Sequence, residues 1–263
     1  MGFETILTEH VDNVLVITLN RPERLNAWTY KMGGELRQAI ISGNENTDVD
    51  AMVLTGAGRG FCAGADIEDV FKAQSDGEDV SEGGGAGNWV ELVRQSKPMV
   101  AAINGAAIGV GLTQVLPMDF LVATHNAKLS LRFVKMGLVP ELASSYFLNA
   151  RVGFGLSSEL MLTGKTISGD EALAVGLVDR VTTSEVLLKE ACEVASAMGS
   201  NPQSAVAQIK ALITANACES DLNLIQRREI EALHTCYASA EHKEAIDAFM
   251  NKREPDFKKA RKA

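Results

Sequence analysis

Positive charge is in short supply. The 263 residues carry 25 Lys and Arg against 34 Asp and Glu, a formal net charge of −9. Such a chain has no general electrostatic attraction for nucleic acid, a polyphosphate or an anionic membrane. Nucleic-acid binding is therefore disfavoured, and any phosphate on a ligand must be held by a few local cations. Cysteine is equally sparse. Cys62, Cys192, Cys218 and Cys236 include no C-x-x-C pair, and no secretory leader precedes them, so reduced thiols are expected. The four histidines are scattered, with no H-E-x-x-H and no Cys/His spacing that suits zinc. No apolar run approaches the length of a membrane span, and Ile6 stands where a myristoylation signal needs Ser or Thr. These absences point to a soluble, cytoplasmic, metal-independent protein with no membrane or nucleic-acid partner.

What is present suits a packed core. Apolar residues make up 46% and charged residues 22%, both ordinary for a globular chain, and the length suits one large domain or one domain with a small appendage. Residues 3–9 and 14–19 predict strands joined at Asp12-Asn13. Thr29 predicts the cap of a helix running to about Ser42. Residues 51–55, 99–103 and 119–124 are short apolar runs of the buried parallel type, each separated from the next by a glycine turn and a helical stretch. That alternation predicts parallel strands with helical crossovers. The acidic, glycine-rich segment 75–88 is expected to be a loop, followed by a helix from Trp89 to Ser96. Ser168 and Glu171 fit a capping box. Beyond residue 184 four amphipathic helical segments are expected (184–198, 202–216, 221–239 and 242–250), giving an α/β body, residues 1–200, and a helical C-terminal region, 201–263.

Two glycine turns carry the chemistry. GAGRGFCAGADI (56–67) and NGAAIGVGL (104–112) each lie between a buried strand and a helix. Glycine permits the tight turn, and amides at a helix start are left without backbone acceptors. One such amide from each turn can converge on a single developing oxyanion; turns that merely redirect the chain are the plainer alternative. Other glycine motifs fit less well. Gly56, Gly58 and Gly60 do not form G-x-G-x-x-G, Gly164-Lys165-Thr166 lacks the earlier glycine of a P-loop because Glu159 stands there, and no G-x-S-x-G occurs.

NRPERLNA (20–27), GRGFCAGADI (58–67), NGAAIGVG (104–111), the strand after Asp119, GLVPE (137–141) and FMNKREPDF (249–257) occur in an order and spacing that resembles the enoyl-CoA hydratase/isomerase, or crotonase, superfamily across essentially the whole chain. The resemblance implies a spiral of ββα repeats, a C-terminal helical region mediating a homotrimer or dimer of trimers, and a coenzyme A thioester as substrate with no tightly bound cofactor. It places the oxyanion amides at Ala65 and Val110, the adenine end of CoA near Ala63 and Ile67, and a basic phosphate-side position at Arg24. Asp66 matches a family position in the same turn, with a structural role expected in the first helical turn. Phe249 and Lys252 resemble the pair that reaches a neighbouring subunit's CoA; a solvated place in the basic tail is the alternative for Lys252.

Hydratases of the family typically hold a water with two glutamates. The alignment of motifs puts Thr113 and Phe133 at those positions, and neither is a base near neutral pH. Glu141 remains. The segment GLVPELASSYF resembles the single-carboxylate isomerase branch, so a Δ3-Δ2-enoyl-CoA isomerase with Glu141 as the proton shuttle is the leading expectation. An enoyl-CoA hydratase and a non-catalytic acyl-CoA-binding protein are the alternatives. For Glu141 itself the plain alternative is an acid favoured by the dipole of a following helix, and an apolar pocket around it would raise its pKa.

Overall fold

The structure, a computed structural model, describes residues 2–71 and 88–262. Apart from Asn88, the 75–88 segment expected to be a loop lies outside the described residues. Strands β1 (Ile6–Val11) and β2 (Val14–Leu19) form a hairpin over Asp12-Asn13, in register Val11↔Val14. Asp12 takes φ 52°, the left-handed geometry that such a two-residue turn requires. A 3-10 turn, Pro22–Arg24, leads to α1 (Tyr30–Glu45), where the Thr29 hydroxyl accepts the Met32 amide as the expected N-cap.

Strands β3 (Ala51–Gly56), β4 (Met99–Ile103), β6 (Phe120–Thr124) and β9 (Arg180–Thr182) add in parallel to β2, giving a six-stranded sheet of order β1-β2-β3-β4-β6-β9. A second, smaller sheet joins β5 (Ala107–Ile108), β7 (Lys128–Ser130) and β8 (Thr166–Ser168). Its row continues through isolated parallel bridges Cys62↔Ala107 and Trp28↔Ala65. A strand of the large sheet is thus followed repeatedly by an extended step in the small one, and the chain winds into a spiral of ββα units.

The central strands read as continuous apolar runs because both sheet faces are covered. Alternation sorts their residues. Leu15, Ile17, Leu19, Met52, Leu54, Met99, Ala101, Ile103 and Leu121 face a core shared with Met32, Leu36 and Ile40 of α1. The smaller Val14, Val16, Ala51, Val53, Val100, Ala102 and Val122 face the other way. They meet Leu187, Ala191, Cys192 and Ala195 of a later helix, Leu187–Gly199.

Helix α2 (Trp89–Gln95) precedes β4, and the single turn α3 (Val110–Thr113) precedes β6. After β7 come a 3-10 turn (Arg132–Met136), α4 (Ser144–Val152) and α5 (Phe154–Thr163). Helix α6 (Gly169–Ala174) starts at the expected Ser168–Glu171 capping box. The helix from Asp66 is, within the described residues, one π-type turn, Ile67–Phe71. Then follow α7 (Leu187–Gly199), α8 (Gln203–Asn216), α9 (Leu222–Tyr237), α10 (Ala240–Met250) and a helix the sequence did not reveal, α11 (Phe257–Lys262).

In the basic tail Lys252 is exposed, while several of the other cations are ion-paired. Arg253 pairs with Glu244 and Asp247, while Lys258 and Lys262 pair with Asp48. Arg261 joins Asp50, at the start of β3, to the buried Glu241. Glu241 in turn accepts the Gln203 and Ser204 amides, fastening α8 and α10 to the body.

Truncation in the shared core should be costly. Leu54 is 1% exposed, and Leu54→Ala is expected to lower unfolding free energy by about 2–5 kcal/mol through lost burial and a cavity, measured by denaturant unfolding.

Candidate active site

The two glycine turns leave the same end of neighbouring parallel strands, β3 and β4, and are pressed against one another. A Cβ at Gly111 would lie 2.4 Å from the Cys62 carbonyl oxygen, and one at Gly105 2.3 Å from the Arg59 carbonyl oxygen. Both obstacles are backbone, so a side chain at either position forces the turns apart. Gly64 takes φ 108°, and a Cβ there would lie 3.3 Å from the Ile108 carbonyl oxygen. Cys62 donates to Ala106 O, and Ile108 donates back to Cys62 O at 2.9 Å.

The amides of Ala65 and Val110 point away from their own backbone partners. Trp28 donates to the Gly64 carbonyl at 2.8 Å, and the Ala65 N–H belongs to that same trans peptide, so it faces the opposite way. The Gly109 carbonyl accepts the Leu112 and Thr113 amides inside the α3 turn, which turns the Val110 N–H of that peptide outward at the helix start. Among the described residues neither amide donates to a protein acceptor.

The flanking residues are fixed by polar contacts. Asn26, fully buried, accepts the Arg21 amide and donates to the Ala57 and Gly60 carbonyls. Arg21 also pairs with Asp66 at 3.0 Å. Burial alone would raise the Asp66 pKa, but Arg21 and the Glu68 and Asp69 amides hold it below the usual carboxylate value. Asp66 is thereby tied to Arg21 at the base of the first turn. Ala63 donates to Leu25 O, and Ile67 is 65% exposed beside it. Arg24 is half exposed and pairs with Glu68. Phe249, near the end of α10, and Lys252, just beyond it, stand exposed, and among the described residues neither side chain hydrogen-bonds to or ion-pairs with the two turns.

Glu141 sits on the irregular segment before α4, followed by Leu142 (φ 58°) and Ala143 (φ 52°). Its carboxylate does not cap that helix. Instead it accepts a hydrogen bond from the Thr113 hydroxyl at 2.8 Å, so Glu141 is tied to α3 and to the second glycine turn. Glu141 retains an open face to solvent, yet desolvation of its carboxyl raises its pKa above 4.5 and outweighs the opposing Thr113 hydrogen bond. Phe133 packs on the core with its ring edge 3.9 Å from the Cβ position of Gly109. Its wall is apolar. Thr113 was noted in the sequence only for the carboxylate it lacks; its partnership with a residue 28 positions away leaves no sequence signal.

Comparison with known proteins agrees with this geometry. The sequence profile described as enoyl-CoA hydratase/isomerase matches residues 9–260. The chain belongs to the enoyl-CoA hydratase/isomerase family. It is therefore an enzyme of the crotonase superfamily, whose members act on CoA thioesters. It is 32% identical to the crotonyl-CoA hydratase of Syntrophomonas wolfei, over 98% of this chain and 99% of that protein. It is also 32% identical to the 1,2-epoxyphenylacetyl-CoA isomerase of Escherichia coli, over 97% and 98%. The crystal structure of an enoyl-CoA hydratase from Bacillus anthracis superposes with TM-score 0.87 at 31% identity, covering 97% of this chain and 99% of that one. The expected crotonase spiral is thus the observed fold. No metal-binding cluster occurs among the described residues, and no described helix is long and apolar enough to cross a membrane.

The raised Glu141 pKa has a thermodynamic consequence. The folded state holds this proton at a pH where the unfolded chain has released it, so the ionised group weakens folding as pH rises through the folded pKa. Glu141→Gln should be more stable than wild type at pH 7, with the difference vanishing as pH falls below 4.5. Thermal or urea unfolding across pH checks this; equal stability at all pH values would contradict it.

Proposed function

We propose that this enzyme is a Δ3-Δ2-enoyl-CoA isomerase. The observation that carries this reading is that, among the described residues, Glu141 is the carboxylate bonded to the second glycine turn. Glu141 is held against α3, while Thr113 and Phe133 occupy the positions where the family's hydratases carry their glutamates. The Ala65 and Val110 amides hold the thioester oxygen as negative charge develops on it. Each such donor is typically worth about 2.7–4 kcal/mol in the transition state. Glu141 removes a proton from C2 of a 3-enoyl thioester, the charge spreads through the dienolate onto that oxygen, and the same carboxyl returns the proton at C4. No water enters the balance, and the Phe133 wall disfavours one.

The CoA moiety lies along the first turn, with adenine near Ala63 and Ile67 and a phosphate near Arg24, which exchanges its Glu68 partner for the ligand. Asp66 supports this surface through Arg21. In a homotrimer or dimer of trimers, Phe249 and Lys252 reach the CoA of a neighbouring subunit, and residues 201–263 form the assembling helical region around a core of residues 1–200. Acyl-CoA is the only cofactor-like molecule required, and the enzyme works in the cytoplasm.

The hydratase reading draws support from relatives with that name, such as the Syntrophomonas wolfei protein. The deciding assay offers purified protein a 3-enoyl-CoA and a 2-enoyl-CoA in parallel, and repeats both with Glu141→Gln. Conversion of the 3-enoyl to the 2-enoyl thioester is expected, falling by about 10²–10⁴-fold in the variant through loss of the positioned base. Water addition to the 2-enoyl substrate as the dominant activity would replace this reading with the hydratase. Tight acyl-CoA binding without turnover in either case would make the protein a binder.

A further inference from the structure

Thr113 is completely buried and sits at the end of α3, the turn whose first residue is Val110. A helical threonine commonly returns its hydroxyl to the carbonyl four residues back. Here that carbonyl, Gly109 O, already accepts the Leu112 and Thr113 amides. The hydroxyl donates outward to Glu141 Oε1 instead, at 2.8 Å. Among the described residues Glu141 has no cation beside it and no second hydrogen-bond donor to its side chain. The backbone beneath it is held by one amide bond, Ser144 N–H to Glu141 O at 3.1 Å, and is followed by two left-handed residues.

We infer that Thr113 is a positioning residue for the proton transfer: its hydroxyl engages Oε1 of Glu141, leaves Oε2 as the oxygen that moves the proton, and registers that oxygen against the Val110 amide through the shared α3 turn. This rests on the isomerase reading of Glu141. The physical reason is economy of parts. The base and the oxyanion donor come from chain segments about thirty residues apart, and an isomerase needs their separation fixed while one oxygen visits two carbons. A hydroxyl on a buried turn serves as the ruler.

The test compares wild type, Thr113→Val and Thr113→Ser by three readouts: folding by circular dichroism, the pH profile of isomerase kcat and kcat/KM, and direct titration of the Glu141 carboxyl by ¹³C NMR, assigned with Glu141→Gln. Thr113→Val removes a donor that favours the charged carboxylate, so the Glu141 titration and the acid limb of the profile should both move to higher pH. kcat should fall about tenfold or more, the scale of one hydrogen bond to a charged group, with KM little changed. Thr113→Ser keeps the hydroxyl and should restore both the limb and the rate. If the valine variant overlays wild type, or if serine is impaired as much as valine, the hydroxyl has no positioning role. If the titration shifts as expected but Glu141→Gln still isomerises, the base assignment fails and the positioning role falls with it, leaving only a hydrogen bond.

Discussion

The backbone-to-backbone contact between the two glycine turns governs the site. Gly111 lies under the Cys62 carbonyl and Gly105 under that of Arg59, closer than any side chain allows. Because β3 and β4 are adjacent and parallel, paired Leu54↔Ala101 and Thr55↔Ala102, their turns emerge side by side at the carboxyl edge of the sheet. That edge is where open α/β sheets generally place ligands. The turn α3 takes its direction from this contact, and the outward Val110 amide and the Thr113 hydroxyl follow from α3. A methyl group in the wrong place would therefore disturb the electrophilic and basic halves of the site together.

The Glu141 segment carries the cost of this arrangement. Two consecutive non-glycine residues, Leu142 and Ala143, adopt positive φ, each a strain of roughly 1–3 kcal/mol. The carboxyl is also partly stripped of water, as its raised pKa records. Neither feature helps folding. Both persist because the surrounding frame is far more strongly determined: Leu148 of α4 is fully buried, and so are the sheet residues on which the frame rests. A second such pair of positive-φ residues, Leu25 and Asn26, lies beside the first glycine turn, and departures from local rules of this kind commonly mark functional segments.

Much of this was legible in the sequence. The apolar runs of β2, β3, β4 and β6 announce buried parallel strands, the glycine spacing marks both turns, and Thr29 and Ser168 mark helix starts through their own hydroxyls. The small sheet was not legible, because strands of two or three residues such as β5 and β7 are too short for alternation to register. Helix α5 also went unannounced; large apolar residues such as Phe154 and Leu162 stand exposed there, which blurs any one-sided pattern. The Thr113–Glu141 bond joins residues whose types say nothing about each other. The pairing of Arg261 and Lys262 was not legible for a related reason: their acidic partners, Asp50 and Asp48, lie more than two hundred positions earlier.

That last separation bears on how the protein comes into being. A ribosome delivers Asp48 and Asp50 long before Lys258, Arg261 and Lys262, so for most of synthesis the start of β3 carries acids without their cationic partners; Asn13, bonded to Asp50 at 3.1 Å, is the early exception. Strands β2, β3 and β4 pair over short stretches of chain and need not wait. The final helix closes its contacts only against a surface that already exists, and those contacts join parts of the chain that no local segment brings together. The stitch between Arg261 and Asp50 thus forms only after every strand of the sheet has been made and has had time to pair.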